Sequence, residues 1–422
     1  MRILILYAST GGGHKRTSAA MKKYIEESRP NDVVRMVDAL EQISHIYNKT
    51  VSEGYELMVK AAPKFFGTVY NQTNKDSTMN DLAVKIQHRL AKKLLPLMVE
   101  FRPDVIITVQ AFCVDMAARI KSKYKMDIPI ISLITDFATH KMYVQDGVDA
   151  YVVSNSEMVN SLKELGVDES AIQVSGIPID PDFYHDFDKQ TLIRKFGLSS
   201  DLPIVLFMAG SFGVKAILKI YLHLVETSAD FQAIVVTGKN KKLYDEFNDI
   251  LDDNYENMET STDDTTESHI KYYIGNYGVK PTKLLYFVDN IQEYMYISDL
   301  IVTKPGGLTV SESIVSVLPM AIFSAFPGQE ADNADYLEKH NLAIRLPKKE
   351  SAKTIHELLL NTEKLETMRN ACRQHNMGNS AKQIIELAEN LVKSYHIKNK
   401  TYDPDLVKEI FSQYYSVTDN EE

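Results

Sequence analysis

The chain has 422 residues, 44% hydrophobic and 25% charged, so it is long enough for two globular domains, each with its own core. Its two cysteines, Cys113 and Cys372, exclude a disulfide framework and a cysteine-based metal site. No run of about eighteen apolar residues occurs, which excludes a transmembrane helix, and the apolar run after Met1 is too short for a signal peptide. We therefore expect a cytoplasmic protein.

The net charge of −10 is distributed unevenly along the chain. Residues 1–150 contain 21 Lys and Arg against 16 Asp and Glu, whereas the remainder contains 26 against 41. A basic half in an acidic protein favours an anionic membrane surface as a partner. Nucleic acid is not favoured, because the sequence has no visible basic and aromatic module of the kind that binds it.

Regularly spaced apolar runs predict a parallel sheet in the first part of the chain. The predicted strands cover residues 3–7, 33–38, 104–109, 129–135, 149–154 and 172–178. The first strand leads into Gly11-Gly12-Gly13-His14 and a helix, which is the opening of a dinucleotide-type βαβ unit. Asp136, Phe137 and His140 follow the fourth strand. Alternating strands and helices predict an α/β domain with its sheet covered on both faces.

The stretch from Ala39 to Leu97 mixes helical patterns with basic and aromatic side chains. If these side chains are exposed, they suit a membrane interface. The alternative is that the aromatic residues are core and the lysines are a solvated face. The candidate membrane-facing residues are Lys60, Lys64, Phe65, Phe66, Arg89, Lys92 and Lys93.

A second domain is predicted after the Pro- and Asp-rich junction at residues 180–183. Its predicted strands cover 203–209, 233–237, 284–288, 299–303 and 320–325, and helices over about 352–395 complete it. The acidic stretch Lys242–Lys271 is predicted to be a mobile surface insertion. The predicted domains are therefore 1–180 and 181–396, followed by a polar tail over 397–422.

Two successive loops in the second domain indicate a ligand site. Lys304-Pro305-Gly306-Gly307 precedes a predicted helix, where backbone N–H groups and the lysine suit a phosphate. The spacing of Thr309 and Glu312 predicts a capping box, and an ordinary capped turn is the alternative to a ligand site. Gln329, Glu330 and Asn333 follow the next strand and suit hydroxyl groups, so the pair of loops favours a sugar nucleotide.

The segment KPGGLTVSES, followed by PMAIFSAFPGQEADNADYL, resembles the donor site of the diacylglycerol glycosyltransferases. This family includes the monogalactosyldiacylglycerol synthases and the processive diacylglycerol glucosyltransferases. The motifs GGGH, TDFATH and GIPIDPDF extend the resemblance over roughly residues 1–390. It implies an α/β, GT-B-type fold, with two Rossmann-like domains facing across a cleft. The N-terminal domain faces the acceptor and the membrane, and the C-terminal domain binds the nucleotide sugar.

The resemblance also implies an activity and a location. The activity is inverting transfer of a hexose, glucose or galactose, from a UDP-sugar to 1,2-diacylglycerol. The enzyme acts at an anionic membrane surface, bound peripherally to the inner face of the cell membrane. We expect no metal or other cofactor, because helix N-termini and Lys304 are available to stabilise the leaving diphosphate and the Asp-x-Asp pairs lie in the linker and the tail.

The implied site residues fall into two groups. His14 and Asp136 are the candidates for the general base, and either one could fill the role or orient its neighbour. Glu312 is expected to accept hydrogen bonds from ribose. The implied donor-binding residues are Gly12, Gly13, Gly210, Ser211, Phe287, Val288, Lys304, Gly306, Gly307, Thr309, Glu312, Gln329, Glu330 and Asn333.

The sequence departs from the family at two positions that bear on the acceptor. Gln110-Ala111-Phe112 stands where relatives commonly have a His-Pro pair, and Tyr143 stands where they often have Trp. The acceptor therefore stays open, and a glycosyltransferase acting on a polyprenyl diphosphate intermediate is a second hypothesis. A UDP-sugar isomerase on the same architecture is a third, and a non-catalytic nucleotide-sugar sensor is a fourth.

Overall fold

A six-stranded parallel sheet forms the centre of the first of two units in the computed structural model of the protein. The structure describes residues 1–9, 12–44, 92–208, 210, 215–255, 270–323 and 328–397. Unit one comprises Met1–Pro181 together with the chain from Asn379 onwards, and unit two comprises Asp182–Gly378.

The first sheet has the strand order β2-β1-β3-β4-β5-β6, with all neighbours parallel. Its strands are β1 (Arg2–Tyr7), β2 (Val33–Asp38), β3 (Val105–Thr108), β4 (Ile130–Leu133), β5 (Ala150–Val153) and β6 (Ile172–Val174). The helices between them are α1 (Gly12–Ser28), α2 (Ala39–Ser44), α3 (Leu95–Phe101), α4 (Ala111–Lys123) and α5 (Glu157–Glu164). The strand order reverses between β1 and β3, which is the point where open α/β sheets bind ligands.

The second sheet has the strand order β13-β12-β11-β7-β8-β10-β9 and reverses between β7 and β11. Its strands are β7 (Ile204–Met208), β8 (Gln232–Val236), β9 (Ile270–Gly275), β10 (Gly278–Leu285), β11 (Leu300–Thr303), β12 (Met320–Ile322) and β13 (Ala343–Arg345). The helices of unit two are α6 (Lys189–Lys195), α7 (Ala216–Val225), α8 (Lys241–Tyr255), α9 (Ile291–Ile297), α10 (Gly307–Val315), α11 (Gln329–Lys339), α12 (Ser351–Leu360) and α13 (Thr362–His375).

The central strands of both sheets are buried on both faces, which is why they read as nearly continuous apolar runs. In β1, Leu4 and Leu6 pack in one core cluster with α3 and α4, whereas Ile3 and Ile5 pack in another on the opposite face. In unit two, Val205 and Phe207 of β7 lie fully buried in one large cluster with the helices that cover them. In β1 the alternation of side chains therefore supplies two cores, one on each face of the first sheet.

The last described helix, α14 (Ser380–Ile397), packs in unit one. Ala381, Ile384 and Ile385 are buried in the same cluster as Ile3 and Ile5 of β1. An ion pair between Arg29 and Glu389 joins α14 to the loop after α1. The prediction that residues up to 396 belong to the second domain is corrected, because the apolar face of this helix is covered by the first sheet.

The acidic stretch Lys242–Lys271, predicted to be a mobile surface insertion, is regular structure in its first part. Its first part is the regular helix α8, whose Leu243, Phe247 and Leu251 are fully buried at helical spacing in the core of unit two. Residues 256–269 lie outside the described ranges. β9 then pairs antiparallel with β10, so a hairpin stands where the sequence predicted only one strand, and that strand ends at Leu285, three residues before the predicted end at Val288.

Within the described ranges, no helix combines the length and the apolar character needed to span a bilayer. The predicted membrane-facing residues Lys60, Lys64, Phe65, Phe66 and Arg89 lie outside those ranges. Lys92 and Lys93 lie in a 3-10 turn, Lys92–Leu94, that leads into α3.

Candidate active site

The carboxyl edge of the first sheet brings together the two candidate bases. His14 lies in the first turn of α1, directly after β1, and Asp136 lies in the loop after β4. β1 and β4 flank β3 in a parallel sheet, so both loops leave the same edge. With neighbouring strands about 4.8 Å apart, β1 and β4 are separated by about 10 Å. Both side chains are partly buried.

Burial lowers the pKa of His14 to about 4. The imidazole is therefore neutral at neutral pH, with a ring nitrogen able to accept a proton. The sequence suggested a pKa near neutrality, and the fold shifts it downward because desolvation penalises the charged form.

The Asp136 loop is tied to the next strand by two side chains that the sequence analysis missed. Ser154 donates its hydroxyl to the carbonyl of Asp136 at 2.8 Å, and Asn155 donates its amide to the carbonyl of Phe137 at 3.0 Å. Asn155 also accepts hydrogen bonds from the backbone of Glu157 and Met158 at the start of α5. A Ser-Asn pair directly after a buried strand was the available signal, since such residues cap helices and bond loops.

Two further polar residues occupy the same edge of the first sheet. Asp38, at the end of β2, is 4% exposed and accepts hydrogen bonds from the hydroxyl of Ser9 and the backbone of Leu40. Gln110 follows β3 and caps α4, its side chain accepting from the backbone N–H of Phe112 at 2.6 Å. Gln110 thus has a local capping role at the start of α4.

In unit two, the loop after β11 ends in an open helix N-terminus. The N-cap of α10 is Gly306, and Gly307 is its first residue. Because glycine has no side chain, the first-turn N–H groups of α10 are not capped by their own N-cap residue. Gly210, after the adjacent strand β7, has a φ of 74°, a left-handed conformation that favours glycine. Ser211 lies outside the described residues.

The predicted capping box at Thr309 and Glu312 is wrong. Thr309 lies inside the first turn of α10, and its carbonyl accepts a hydrogen bond from the hydroxyl of Ser313 at 2.8 Å. Glu312 lies in the next turn and is only 1% exposed. With Gly306 as N-cap, Glu312 is too far along the helix for the reciprocal bond of a capping box. The capping explanation for this carboxylate is thereby removed.

Two contacts join α11 to the same loop. The Nζ of Lys304 lies 2.7 Å from Oε1 of Glu330, and both side chains are partly buried. The amide of Asn333, which is fully buried, donates to the carbonyl of Pro305 at 3.0 Å. Gln329 is the first residue of α11, after Gly328 with a φ of 103°. The two predicted loops therefore meet at the carboxyl edge of the second sheet.

The other predicted donor residues are Phe287 and Val288 in unit two and Gly12 and Gly13 in unit one. Phe287 lies after β10 with 46% of its surface exposed, and the Nζ of Lys239 lies 5.0 Å from its ring centroid. An exposed aromatic face beside a cation at this edge is available for a base to stack on. Val288 follows it and is partly buried. Gly12 and Gly13 open α1 in unit one, on a different sheet from the rest of the predicted donor residues.

Two family models match the chain in succession. Residues 14–179 match the model described as monogalactosyldiacylglycerol (MGDG) synthase, and residues 204–388 match that of the glycosyltransferase family 28 C-terminal domain. The chain is 28% identical over 406 residues to the processive diacylglycerol beta-glucosyltransferase of Bacillus pumilus, covering 95% of this chain and 97% of that protein. It is 27% identical to the protein of the same name from Bacillus subtilis, covering 91% and 94%.

Solved structures with similar folds differ more in sequence. MurG of Acinetobacter baumannii has a TM-score of 0.60 at 13% identity, covering 92% of this chain and 100% of that chain. A UDP-GlcNAc 2-epimerase from Neisseria meningitidis has a TM-score of 0.56 at 12% identity, with the same coverage. Because an epimerase is among the structures with this fold, the fold alone does not choose between transfer and isomerisation.

The match to a glycosyltransferase family model favours transfer over isomerisation. Two Rossmann-like units, with a glycine-rich helix N-terminus at the edge of the second sheet and a match to a glycosyltransferase domain, define a glycosyltransferase of the GT-B type. Together the two models take in more than four fifths of the chain, and the chain is similar along nearly its whole length to the diacylglycerol glycosyltransferases.

Proposed function

We propose that this protein transfers a hexose from a UDP-sugar to 1,2-diacylglycerol, with inversion at the anomeric carbon. Relatives named processive diacylglycerol beta-glucosyltransferase align with 91% to 95% of the chain, which supports this acceptor and favours glucose as the sugar. The same family includes galactose-named members, as the matched MGDG synthase model indicates, so galactose is the donor to compare.

The buried carboxylate of Glu312 carries the donor proposal. It is only 1% exposed, and it lies on α10, whose N-terminus opens at Gly306 and Gly307. A carboxylate offers two acceptor oxygens, which match the two hydroxyl donors of a ribose. Burial strengthens such charge-assisted hydrogen bonds, because water does not compete for them.

The diphosphate would then lie against the start of α10. The first-turn N–H groups and the helix dipole favour an anion there, and Lys304 adds a positive charge. Glu330 and Gln329, at the start of α11, would bind hydroxyls of the sugar, with Asn333 holding the loop between the two helices. We expect this arrangement to carry the leaving-group charge without a metal ion.

The transfer is a single displacement. A base removes the proton of the diacylglycerol hydroxyl, and the hydroxyl oxygen forms a bond to the anomeric carbon. The bond from that carbon to the diphosphate oxygen breaks, and its electron pair leaves with UDP. His14 is neutral at physiological pH, so one ring nitrogen is unprotonated, and the burial that lowers its pKa also makes it a weaker base than an ordinary histidine. Asp136 is the second candidate, as base or as the group that orients the histidine.

The acceptor requires the enzyme to work at a bilayer. Residues 1–150 carry an excess of basic over acidic residues, 21 against 16, which suits an anionic surface. We propose that the enzyme binds peripherally to the inner face of the cell membrane through this half of the chain.

The test is an assay of the purified protein with diacylglycerol in anionic vesicles and labelled UDP-glucose or UDP-galactose in parallel. We expect a glycolipid product from UDP-glucose, with inverted anomeric configuration by NMR. A polyprenyl diphosphate acceptor and an acceptor-free arm complete the design. Product only in the polyprenyl arm, or interconversion of the sugar nucleotide without acceptor, would reject diacylglycerol as the substrate.

A further inference from the structure

The loop from Thr135 to Tyr143, here called the Asp136 loop, is held at both ends. At its start, Ser154 and Asn155 bond the carbonyls of Asp136 and Phe137. At its end, Tyr143 is 2% exposed and packs in a core cluster with Ala111 and Val114 of α4. The candidate catalytic residue Asp136 therefore lies at the first anchor, and the segment that follows it runs to the second.

His140 forms the link between the loop and the second anchor. It is the N-cap of the 3-10 turn Lys141–Tyr143, with extended backbone dihedrals of −136° and 139°. Its Nδ1 accepts the backbone N–H of Met142 at 3.2 Å, and its side chain is buried, with the residue only 5% exposed. Since Nδ1 acts as acceptor, a neutral ring carries its proton on Nε2.

The cap restricts the movement of the Asp136 loop. Only three residues separate His140 from Asp136, so the capped turn fixes the far end of the short segment whose near end is bonded at the Asp136 carbonyl. A displacement of about 1 Å at a catalytic group is enough to cost about a hundredfold in rate. A capped turn with a buried aromatic anchor limits such displacement.

We infer that His140 is a positioning residue for Asp136: its ring caps the turn that closes the Asp136 loop, and the cap holds the carboxylate in place for proton transfer. This inference rests on the proposed function, because it assigns Asp136 a part in activating the acceptor hydroxyl. It adds a residue that the sequence analysis noted in the TDFATH motif without giving it a role.

The test compares three variants by steady-state kinetics. His140→Ala removes the cap, and we expect kcat with diacylglycerol to fall about tenfold or more. The KM for UDP-glucose should hold, because Lys304 and Glu312 lie on unit two. His140→Asn should restore most of kcat, since asparagine is a strong N-cap. The matched control is Asp168→Ala, which removes the same kind of cap, to Ser170 N–H at 2.8 Å, from another 3-10 turn of unit one.

The kinetic outcomes decide the role. Equal kcat values for His140→Ala and Asp168→Ala would overturn the inference, because loss of a remote cap would then matter as much. A His140→Asn enzyme as slow as His140→Ala would also overturn it, since the cap would be present without its effect. A loss in His140→Ala with rescue by asparagine supports the inference.

Amide hydrogen exchange separates this inference from the proposed function. In His140→Ala, exchange across residues 136–143 should become faster, whereas His140→Asn should keep the slow rate and Asp168→Ala should affect only its own turn. This readout needs no substrate. If diacylglycerol proves not to be the acceptor, faster exchange in His140→Ala still supports the cap that holds the loop, and unchanged exchange overturns it.

Discussion

Lys304 and Glu330, 26 residues apart in the sequence, form an ion pair of 2.7 Å at the carboxyl edge of the second sheet. One residue was predicted to bind phosphate and the other a sugar hydroxyl, and the pair joins the two loops that carry these functions. Both side chains keep about a quarter of their surface exposed, at 22% and 25%. The pair is therefore accessible to a ligand whose diphosphate and sugar would contact the two residues separately.

This geometry predicts different effects for the two partners. Lys304→Ala should weaken binding of both UDP and UDP-glucose about tenfold, the usual size for loss of a charged hydrogen bond. Glu330→Gln should leave UDP binding unchanged and weaken UDP-glucose only, because UDP has no hexose. Calorimetric titration of both ligands measures this. Lys189→Ala is the control, since it breaks a similar pair with Asp299, 3.0 Å long, at the opposite edge of the sheet.

The buried position of Glu312 predicts a loss of binding without a loss of stability. Glu312→Gln removes the charge that would accept the ribose hydroxyls, so UDP should bind about tenfold more weakly. The melting temperature should stay equal or rise, because a neutral amide is less costly to bury than a carboxylate. The adjacent variant Ser313→Ala removes a buried helix hydroxyl and should leave UDP binding unchanged. Unchanged UDP binding in Glu312→Gln would reject the ribose role.

The candidate bases predict a loss of turnover that spares the donor. His14→Ala and Asp136→Asn should each lower kcat about a hundredfold, the usual contribution of a general base. UDP binding should survive in both variants, because the predicted ribose and diphosphate ligands of unit two are untouched. Transfer rates and UDP affinity are measured on the same preparations. A variant that transfers sugar at the wild-type rate excludes its residue as the base.

The lowered pKa of His14 predicts a pH effect on stability. In the unfolded chain its pKa returns to the ordinary histidine value of 6.5, whereas in the folded protein it is about 4. Between these values the unfolded state binds a proton that the folded state does not, so His14 makes stability fall as pH decreases from 6.5 to 4. Melting temperatures at pH 7 and pH 5 should therefore differ less in His14→Gln than in the wild type. Equal differences would place His14 in an ordinary solvated environment.

Membrane docking through the first half of the chain predicts salt-sensitive binding to anionic vesicles. Each basic residue near such a surface contributes about 1 kcal/mol, screened within a Debye length. Neutralising Lys60, Lys64, Arg89, Lys92 and Lys93 together should weaken vesicle co-sedimentation. Neutralising the exposed Lys219, Lys242 and Lys348 of unit two should have a much smaller effect. Binding that is equal on neutral and anionic vesicles, at all salt concentrations, would exclude electrostatic docking.

Much of the fold was predictable from local pattern. The strands β1, β2 and β11 coincide with predicted strands within one residue, because buried parallel strands are short apolar runs bounded by turn residues. The glycines at the start of α1 and α10 marked two loops at carboxyl edges, and the motifs around them led to the glycosyltransferases that the chain is similar to. The hairpin of β9 and β10 escaped prediction, since β9 lies at an edge and its residues are only partly buried.

Local sequence pattern was enough to predict the α/β class, the two glycine loops and the residue types available for chemistry. Such features depend on neighbours a few positions away, so periodicity and turn residues are enough to reveal them. Long-range packing set the rest: Gly306 rather than Thr309 is the N-cap of α10, Lys304 meets Glu330, Ser154 and Asn155 hold the Asp136 loop, and burial lowers the pKa of His14. These depend on strand order and desolvation, which bring together or bury residues that no local pattern relates.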